Sequence, residues 1–496
     1  MIDLTVARIA EIVGGELSGI SPADAETLHV TGTVEFDSRA VRPGGLFLAL
    51  PGARADGHDF AAAAIESGAV AVLAARPVGV PAIVVPPAPP SDAGAGVFDH
   101  DADGAGAAVL AALGRLAAAV AAELSAHGLR IIGITGSSGK TSTKDMIAAV
   151  LRPLGEVVAP PGSFNNELGH PWTVLRATRD TDFLVLEMSA RHPGNIAALA
   201  RIATPSIAAV LNVGTAHLGE FGSREVIAAT KAALVQAVPP IGTVILNADD
   251  PVVAAMAGQT RARIVRVGRG GDVDVRAEGI ELDELARPSF TLVAAGRRVP
   301  VTLAVHGEHQ VSNALCAAAV ALECGATAEQ VAAALSAAGP ASRHRMEVHT
   351  RADGVTIVND AYNANPDSMR AGLQALAVMA RRPGSPRRSW AVLGEMGELG
   401  ADSITEHDRI GRLAVRLDIS RLVVVGTGRP MSAMHHGAVM EGSWGPESTM
   451  VDDAAAALEL LRAELRPGDV VLVKASNAAG LGALAEALTG QRGESA

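Results

Sequence analysis

Leu129-Arg130-Ile131-Ile132-Gly133-Ile134-Thr135-Gly136-Ser137-Ser138-Gly139-Lys140-Thr141-Ser142 runs from an apolar segment through a glycine-serine turn to a lysine and two hydroxyls. Leu129–Ile134 reads as a buried strand, and a helical pattern follows Thr141. Between them the glycines let the backbone wrap an anion, with N–H groups and the helix N-terminus facing it. Lys140 would neutralise a phosphate and Thr141 would ligate Mg²⁺. The strict phosphate-loop pattern places glycine where this chain has Ile134, so the loop is a variant. An ordinary Gly/Ser turn is the competing reading. Strand, loop, Lys-Thr pair and helix agreeing in order favour the phosphate site.

Working outward, the same alternation recurs. Phe183–Leu186, Ile207–Leu211 and Thr243–Leu246 are short apolar runs separated by helical patterns. Val355–Val358, Trp390–Leu393, Leu422–Val425 and Val470–Val473 repeat it after Gly339-Pro340. Such alternation predicts βαβ units in a mostly parallel sheet. On the N-terminal side, a proline-rich run at 86–90 and an Asp/Gly-rich stretch over 91–104 read as a linker, followed by a helix over 107–127. At about 150 residues per domain, 496 residues suit three domains. The boundaries fall at 1–103, 104–338 and 339–496.

Composition narrows the class. Only 12 residues are Phe, Tyr or Trp among 49% apolar residues, so the core load falls on Ala, Val, Leu and Ile, as in helix-rich α/β enzymes. Lys and Arg number 41 against 53 Asp and Glu, a net charge of −12 that repels phosphate backbones and anionic lipid. Nucleic acid and membrane are therefore excluded as general partners. Arg115 and Glu123 interrupt the Ala-rich stretch 105–126, which reads as no membrane span. The N-terminus has no cationic region followed by an apolar run, so a cytoplasmic protein is expected. Cys316 and Cys324 share one helical stretch, too far apart for a disulfide and without metal-site spacing.

Other residues add chemistry around the loop. Glu187 ends an apolar strand, where open α/β sheets place ligand groups, and a carboxylate there would share Mg²⁺ with Thr141. His217 reads either as a satisfied structural histidine or as a second metal ligand. Taken alone, Lys231 is a helix lysine and Asn165-Asn166-Glu167-Leu168-Gly169 a polar turn.

Together these residues resemble the Mur ligases, ATP-dependent amide-forming enzymes of peptidoglycan precursor synthesis. Asp37-Ser38-Arg39, Pro43-Gly44, Leu46-Phe47 and Asp56-Gly57-His58 resemble the family's uridine-nucleotide-binding domain. The phosphate loop, Asn165–Gly169, Glu187-Met188 and the run from Asn212 to His217 follow in family order, and Gly307–Ala314 resembles the adenine-side motif. Asp360-Ala361-Tyr362-Asn363-Ala364-Asn365-Pro366-Asp367-Ser368-Met369 resembles the signature of the branch that adds D-alanyl-D-alanine, as do Leu393–Gly400 and His407. Relatives that add other amino acids carry a His-containing loop instead.

The resemblance implies three α/β units: a small uridine-nucleotide-binding domain, a central phosphate-loop ATPase domain and a C-terminal Rossmann-like domain. It implies ATP and Mg²⁺, with UDP-N-acetylmuramoyl-tripeptide and D-alanyl-D-alanine as substrates of a cytoplasmic monomer. Residues Thr135, Gly136, Ser137, Ser138, Gly139, Lys140, Thr141, Ser142, Asn313, Arg345 and Asp360 would bind ATP. Ser38, Arg39, Asn165, Asn166, Asn363 and Asn365 would bind the other substrates. Metal would be held by Thr141, Glu187, His217 and Lys231, the last as a CO₂-derived carbamate; Lys140, Lys231 and His217 would be catalytic.

The chain departs from the family's pattern at Ala233, where an acid is common, and at Lys474-Ala475-Ser476-Asn477, which replaces a Lys-Gly-Ser-Arg pattern. His170 and Trp172 also make their segment bulkier than expected, which bears on substrate contacts. A bare phosphate-loop ATPase would leave Asp37-Ser38-Arg39 and the 360–369 signature without a purpose. Two cysteines cannot build the four-cysteine zinc ribbon of Mur-like amidotransferase subunits.

Overall fold

A computed structural model describes residues 1–52, 54–87, 101, 103–214, 218–381, 387–442 and 447–490. Most of the stretch read as a linker, and His217, lie outside the described residues. Three larger sheets follow one another along the chain, with helices between them, as the alternating pattern predicts.

The N-terminal sheet has five strands in the order Glu16–Ser18, Ala82–Val84, Ala69–Ala74, Gly45–Leu48, Val34–Glu35. All pair in parallel except the first. Helix Ala105–Ala126 joins it to the next unit. By length and composition this helix could cross a membrane. Here it packs on helices Val6–Val13, Gly169–Val174 and Asn195–Ile202, and Val109, Leu113, Leu116 and Val120 are fully buried. Arg115 donates to the Val13 carbonyl at 2.7 and 3.1 Å, so the charge that interrupts the run caps another helix's C-terminus.

The central sheet has nine strands. Arg130–Thr135 is third from one edge, flanked by Phe183–Glu187 on one side and Ile207–Val210 on the other. Successive connections therefore leave the first strand in opposite directions, which opens a crevice at its carboxyl end. One edge is an antiparallel meander of Val275–Leu282, Pro288–Ala294 and Arg297–Thr302. Apolar clusters cover both faces, one shared with the N-terminal unit and one built around helix Gln310–Glu323. Cys316 and Cys324 are free thiols, and burial pushes them up to about 12 and about 11.

The C-terminal sheet has six strands in the order Glu347–Thr350, Thr356–Asn359, Val470–Lys474, Ser389–Leu393, Arg421–Val425, Ser448–Val451. The last strand in sequence inserts between the first two parallel ones. This places Lys474 between the ends of Asn359 and Leu393, where the signature loop and the 394–400 loop begin.

Candidate active site

Register decides what surrounds the phosphate loop. Glu187 pairs with Ile134 and Val210 with Thr135, so the residues just beyond these strand ends converge on Gly136–Gly139. Asn212 Oδ1 accepts the N–H groups of Ser137 and Ser138, both at 2.9 Å, and its Nδ2 donates to the Ser138 carbonyl at 3.1 Å. Gly139 has φ +80°, and a Cβ there would meet Asn313 Oδ1 at 2.5 Å. Only glycine combines that backbone with that approach. Helix Lys140–Leu151 starts at this turn. Lys140 folds back to donate to the Gly136 carbonyl at 2.8 Å.

Beside the lysine sits a cluster of hard oxygen donors. Thr141 Oγ1 donates to Glu187 Oε2 at 3.0 Å and lies 2.9 Å from Ser163 Oγ. Asn165 Nδ2 donates to Glu187 Oε1 at 2.6 Å. Glu187 is 2% exposed, so it needs a compensating cation nearby. Burial lowers the Lys140 pKa, opposed by the charges of Glu187 and Glu398 and aided by Arg345. This oxygen set, next to a phosphate loop, suits Mg²⁺.

The third unit closes over the loop. Arg345 Nη2 donates to Ser163 Oγ at 3.1 Å and to Thr141 Oγ1 at 3.4 Å. Asn365 Nδ2 donates to the Ser137 carbonyl at 3.5 Å, and Ser342 Oγ to Asp145 Oδ2 at 2.6 Å. Asp360 is ion-paired with Lys474 at 2.5 Å, and Lys474 Nζ also donates to the Asn363 carbonyl at 3.0 Å. A cavity of about 580 Å³ lies between the two units.

Ser137 through Ser142, Asn165, Asn166, Glu187, Asn313, Arg345, Asp360, Asn363 and Asn365 all line this cavity. Thr135 and Gly136 do not; Thr135 is wholly buried beneath the loop. Ser38 and Arg39 also lie outside it, in a turn where Arg39 forms a double hydrogen bond with Asp37 at 2.7 and 2.9 Å. Their unit meets the central one through Phe36, which packs at a tilt against Phe164 and edge-on against Trp172. His170 and Trp172, expected to alter substrate contacts, are instead buried and line no part of the cavity. Trp172 Nε1 donates to the Val34 carbonyl at 2.8 Å, so its bulk ties the first unit to the second.

Lys231 is 6% exposed, with no carboxylate partner among the described residues. Burial, then the Lys140 charge, lowers its pKa far below the ordinary lysine value, favouring the neutral amine. Asn477, standing where the arginine of the common pattern would be, also lines the cavity. Sequence reading gave no role to Ser163, Tyr362 or Glu398, which are cavity-lining too. The left-handed φ of +62° at Glu398 could not be read from its letter. His58 and His407 prove structural. His58 bonds Asp56 and the Ala75 N–H, and His407 accepts from the Met396 N–H at 2.9 Å.

Residues 31–119 match the Mur ligase family catalytic domain, 134–321 the Mur ligase middle domain, and 344–477 the Mur ligase glutamate ligase domain. The chain belongs to the Mur ligase family. This Mur ligase is 73% identical over 98% of both chains to the UDP-N-acetylmuramoyl-tripeptide--D-alanyl-D-alanine ligase of Mycobacterium tuberculosis (strain ATCC 25618 / H37Rv). It is 34% identical, over 86% of each chain, to the ligase of the same name from Escherichia coli (strain K12). Its fold superposes on MurF from Acinetobacter baumannii with a TM-score of 0.81 at 29% identity, covering 99% of both chains. A MurF ligase from Thermotoga maritima in complex with ADP matches at 0.76 and 27% identity, over 93% of this chain and 98% of that one.

Proposed function

We propose that this Mur ligase joins D-alanyl-D-alanine to the C-terminal carboxylate of UDP-N-acetylmuramoyl-tripeptide, coupled to cleavage of ATP. The products are UDP-N-acetylmuramoyl-pentapeptide, ADP and phosphate, the pentapeptide being a peptidoglycan precursor. The observation that carries this is 73% identity across 98% of the chain to a ligase of that name, in a chain whose 360–369 loop lines the cavity facing the phosphate loop.

A carboxylate cannot expel oxide, so the acceptor must first be activated. One carboxylate oxygen attacks the γ-phosphorus and ADP leaves, giving an acyl phosphate. The dipeptide amine then attacks the acyl carbon, loses a proton, and inorganic phosphate departs from the tetrahedral intermediate. Such transfers depend on positioning and charge neutralisation. In this reading Ser137 and Ser138, held by Asn212, shape the loop. Gly139 and the first turn of helix Lys140–Leu151 present N–H groups to the phosphates, Lys140 neutralises them, and Arg345 approaches the transferring phosphoryl group from the third unit. Thr141 and Glu187 would hold Mg²⁺, which supplies charge neutralisation between γ-phosphate and acceptor carboxylate. Asn313 and Asp360 would face the nucleoside, Asn165, Asn166, Asn363 and Asn365 the two condensing substrates, and Ser38 and Arg39 the uridine nucleotide.

Lys231 as a carbamate would add one carboxylate-like ligand beside that site, with His217 as its companion. The modification is attack of the neutral amine on CO₂ with loss of one proton. The desolvated, unpaired Lys231 supports it. Contacts between the second and third units support closure during the reaction, which keeps water from the acyl phosphate. Division at residues 103 and 338, a monomer, and a cytoplasmic location complete the proposal. Its test is ADP formation by Lys140→Ala: loss of turnover in a folded protein is expected, and wild-type turnover would remove the ATP site from the phosphate loop.

A further inference from the structure

Arg345 lies outside any helix or strand, yet its surroundings fix it. The residues on either side, His344 and Met346, have φ of +56° and +51°, a left-handed backbone that side chains other than glycine adopt at a cost. Each is held there. His344 Nε2 bonds Glu486 at 2.8 Å, and its carbonyl accepts the Tyr362 N–H at 3.3 Å. The Met346 N–H donates to Asp360 Oδ1 at 3.1 Å, and Asp360 is anchored by Lys474. Gly482 gives the His344 ring room, since a Cβ there would come within 2.7 Å of Nδ1. The signature loop thus grips the backbone on both sides of Arg345.

The same loop also meets the side chain. The Arg345 guanidinium carbon lies 4.3 Å from the centre of the Tyr362 ring. Nη2 reaches two hydroxyls of the central unit, while the Nε–H is buried with no acceptor. No hydrogen bond holds the Tyr362 hydroxyl among the described residues, so the ring face is the part in use. Tyr362 is also the single tyrosine of the chain. A long arginine side chain pointing across a domain boundary would otherwise sample many rotamers. An aromatic face opposes that by attracting the cation and restricting its plane.

Resting on the assignment of Arg345 to the transferring phosphoryl group, we propose that Tyr362 is its positioning residue. The ring holds the guanidinium against Thr141 and Ser163 at the cavity wall, so that its solvent-facing N–H groups meet a phosphoryl oxygen with the side chain already in place. The dipeptide-adding signature then does two jobs, shaping the cavity and aiming an arginine.

The test measures dipeptide-dependent phosphate release and ATP affinity in Tyr362→Leu, Tyr362→Phe, Arg345→Ala and the Leu/Ala double variant. Tyr362→Leu should lower kcat about tenfold, about 1.4 kcal/mol at the transition state. Its ATP KM should stay within about twofold, and Tyr362→Phe should recover most of the loss. The double variant should be no slower than Arg345→Ala alone, because the ring acts through the arginine. Wild-type kcat in Tyr362→Leu beside a depressed Arg345→Ala overturns the proposal alone. So does a double variant with multiplied defects, or a loss confined to ATP binding. Wild-type kcat in Arg345→Ala overturns the assignment of that residue as well.

Discussion

Trp172→Phe isolates the join between the first two units. Trp172 is 7% exposed, and its indole N–H satisfies the carbonyl of Val34 on the edge strand of the N-terminal sheet. Phenylalanine keeps an apolar ring against Phe36 and Phe164 but has no donor. Val34 is 2% exposed, so the abandoned carbonyl is poorly reached by water. An unsatisfied buried acceptor costs about 1–3 kcal/mol. The lost ring volume adds about 1 kcal/mol. The expected destabilisation is therefore about 2–4 kcal/mol, concentrated on docking of the first unit. Urea unfolding should show an earlier first transition, and KM for the uridine-linked acceptor should rise while KM for ATP stays constant. Unchanged unfolding together with an unchanged acceptor KM would refute the view that Trp172 is a structural tie.

Other consequences are equally specific. Asp56 is partly buried, which alone would raise its pKa; hydrogen bonds from the His58 backbone, the His58 ring and Arg76 override this and hold it at about 2. A depressed carboxylate stabilises the fold above its unfolded pKa near 3.9, and loses that contribution as pH falls toward 2. Because solvent screens this half-exposed pair, acid unfolding should thus remove about 1 kcal/mol over that window, and Asp56→Asn should flatten this portion of the curve. Lys231→Ala should lower turnover at least a hundredfold, as expected for loss of a ligand to a catalytic metal. Wild-type protein given ¹³CO₂ should show a carbamate carbon signal that the variant lacks; its absence in both would exclude the modification. Lys474→Met should destabilise the third unit by about 3–5 kcal/mol, because it leaves the Asp360 carboxylate buried without its cation. Unfolding matching wild type would show the ion pair to be dispensable.

Much of this architecture could be read from letters because buried parallel strands are continuous β-branched runs. Phe183–Glu187 and Val470–Lys474 differ from the sequence reading by one residue at the C-terminal end. The meander 275–302 escaped notice for the opposite reason. Its strands alternate buried with exposed positions and carry Arg276, Glu278 and Arg298 on one face, so no apolar run marks them. The phosphate loop was legible since glycine, lysine and threonine act there through local geometry. Contacts between units were not. Trp172 on Val34, Arg345 on Thr141 and Asn365 on Ser137 join residues more than a hundred positions apart. Nothing local in the sequence distinguishes Trp172 as a tie from Trp172 as a wall of the substrate site.

The central claim is an ATP-coupled ligation that requires both condensing substrates. The most direct measurement is phosphate release from Mg²⁺-ATP with UDP-N-acetylmuramoyl-tripeptide, with D-alanyl-D-alanine added, withheld, or replaced by D-glutamate, L-alanine or L-lysine. Mass spectrometry identifies the product. Phosphate release only with the dipeptide, and a product heavier by one D-alanyl-D-alanine residue pair, is the expected result. Release indifferent to acceptor and amine, with no pentapeptide formed, would contradict it.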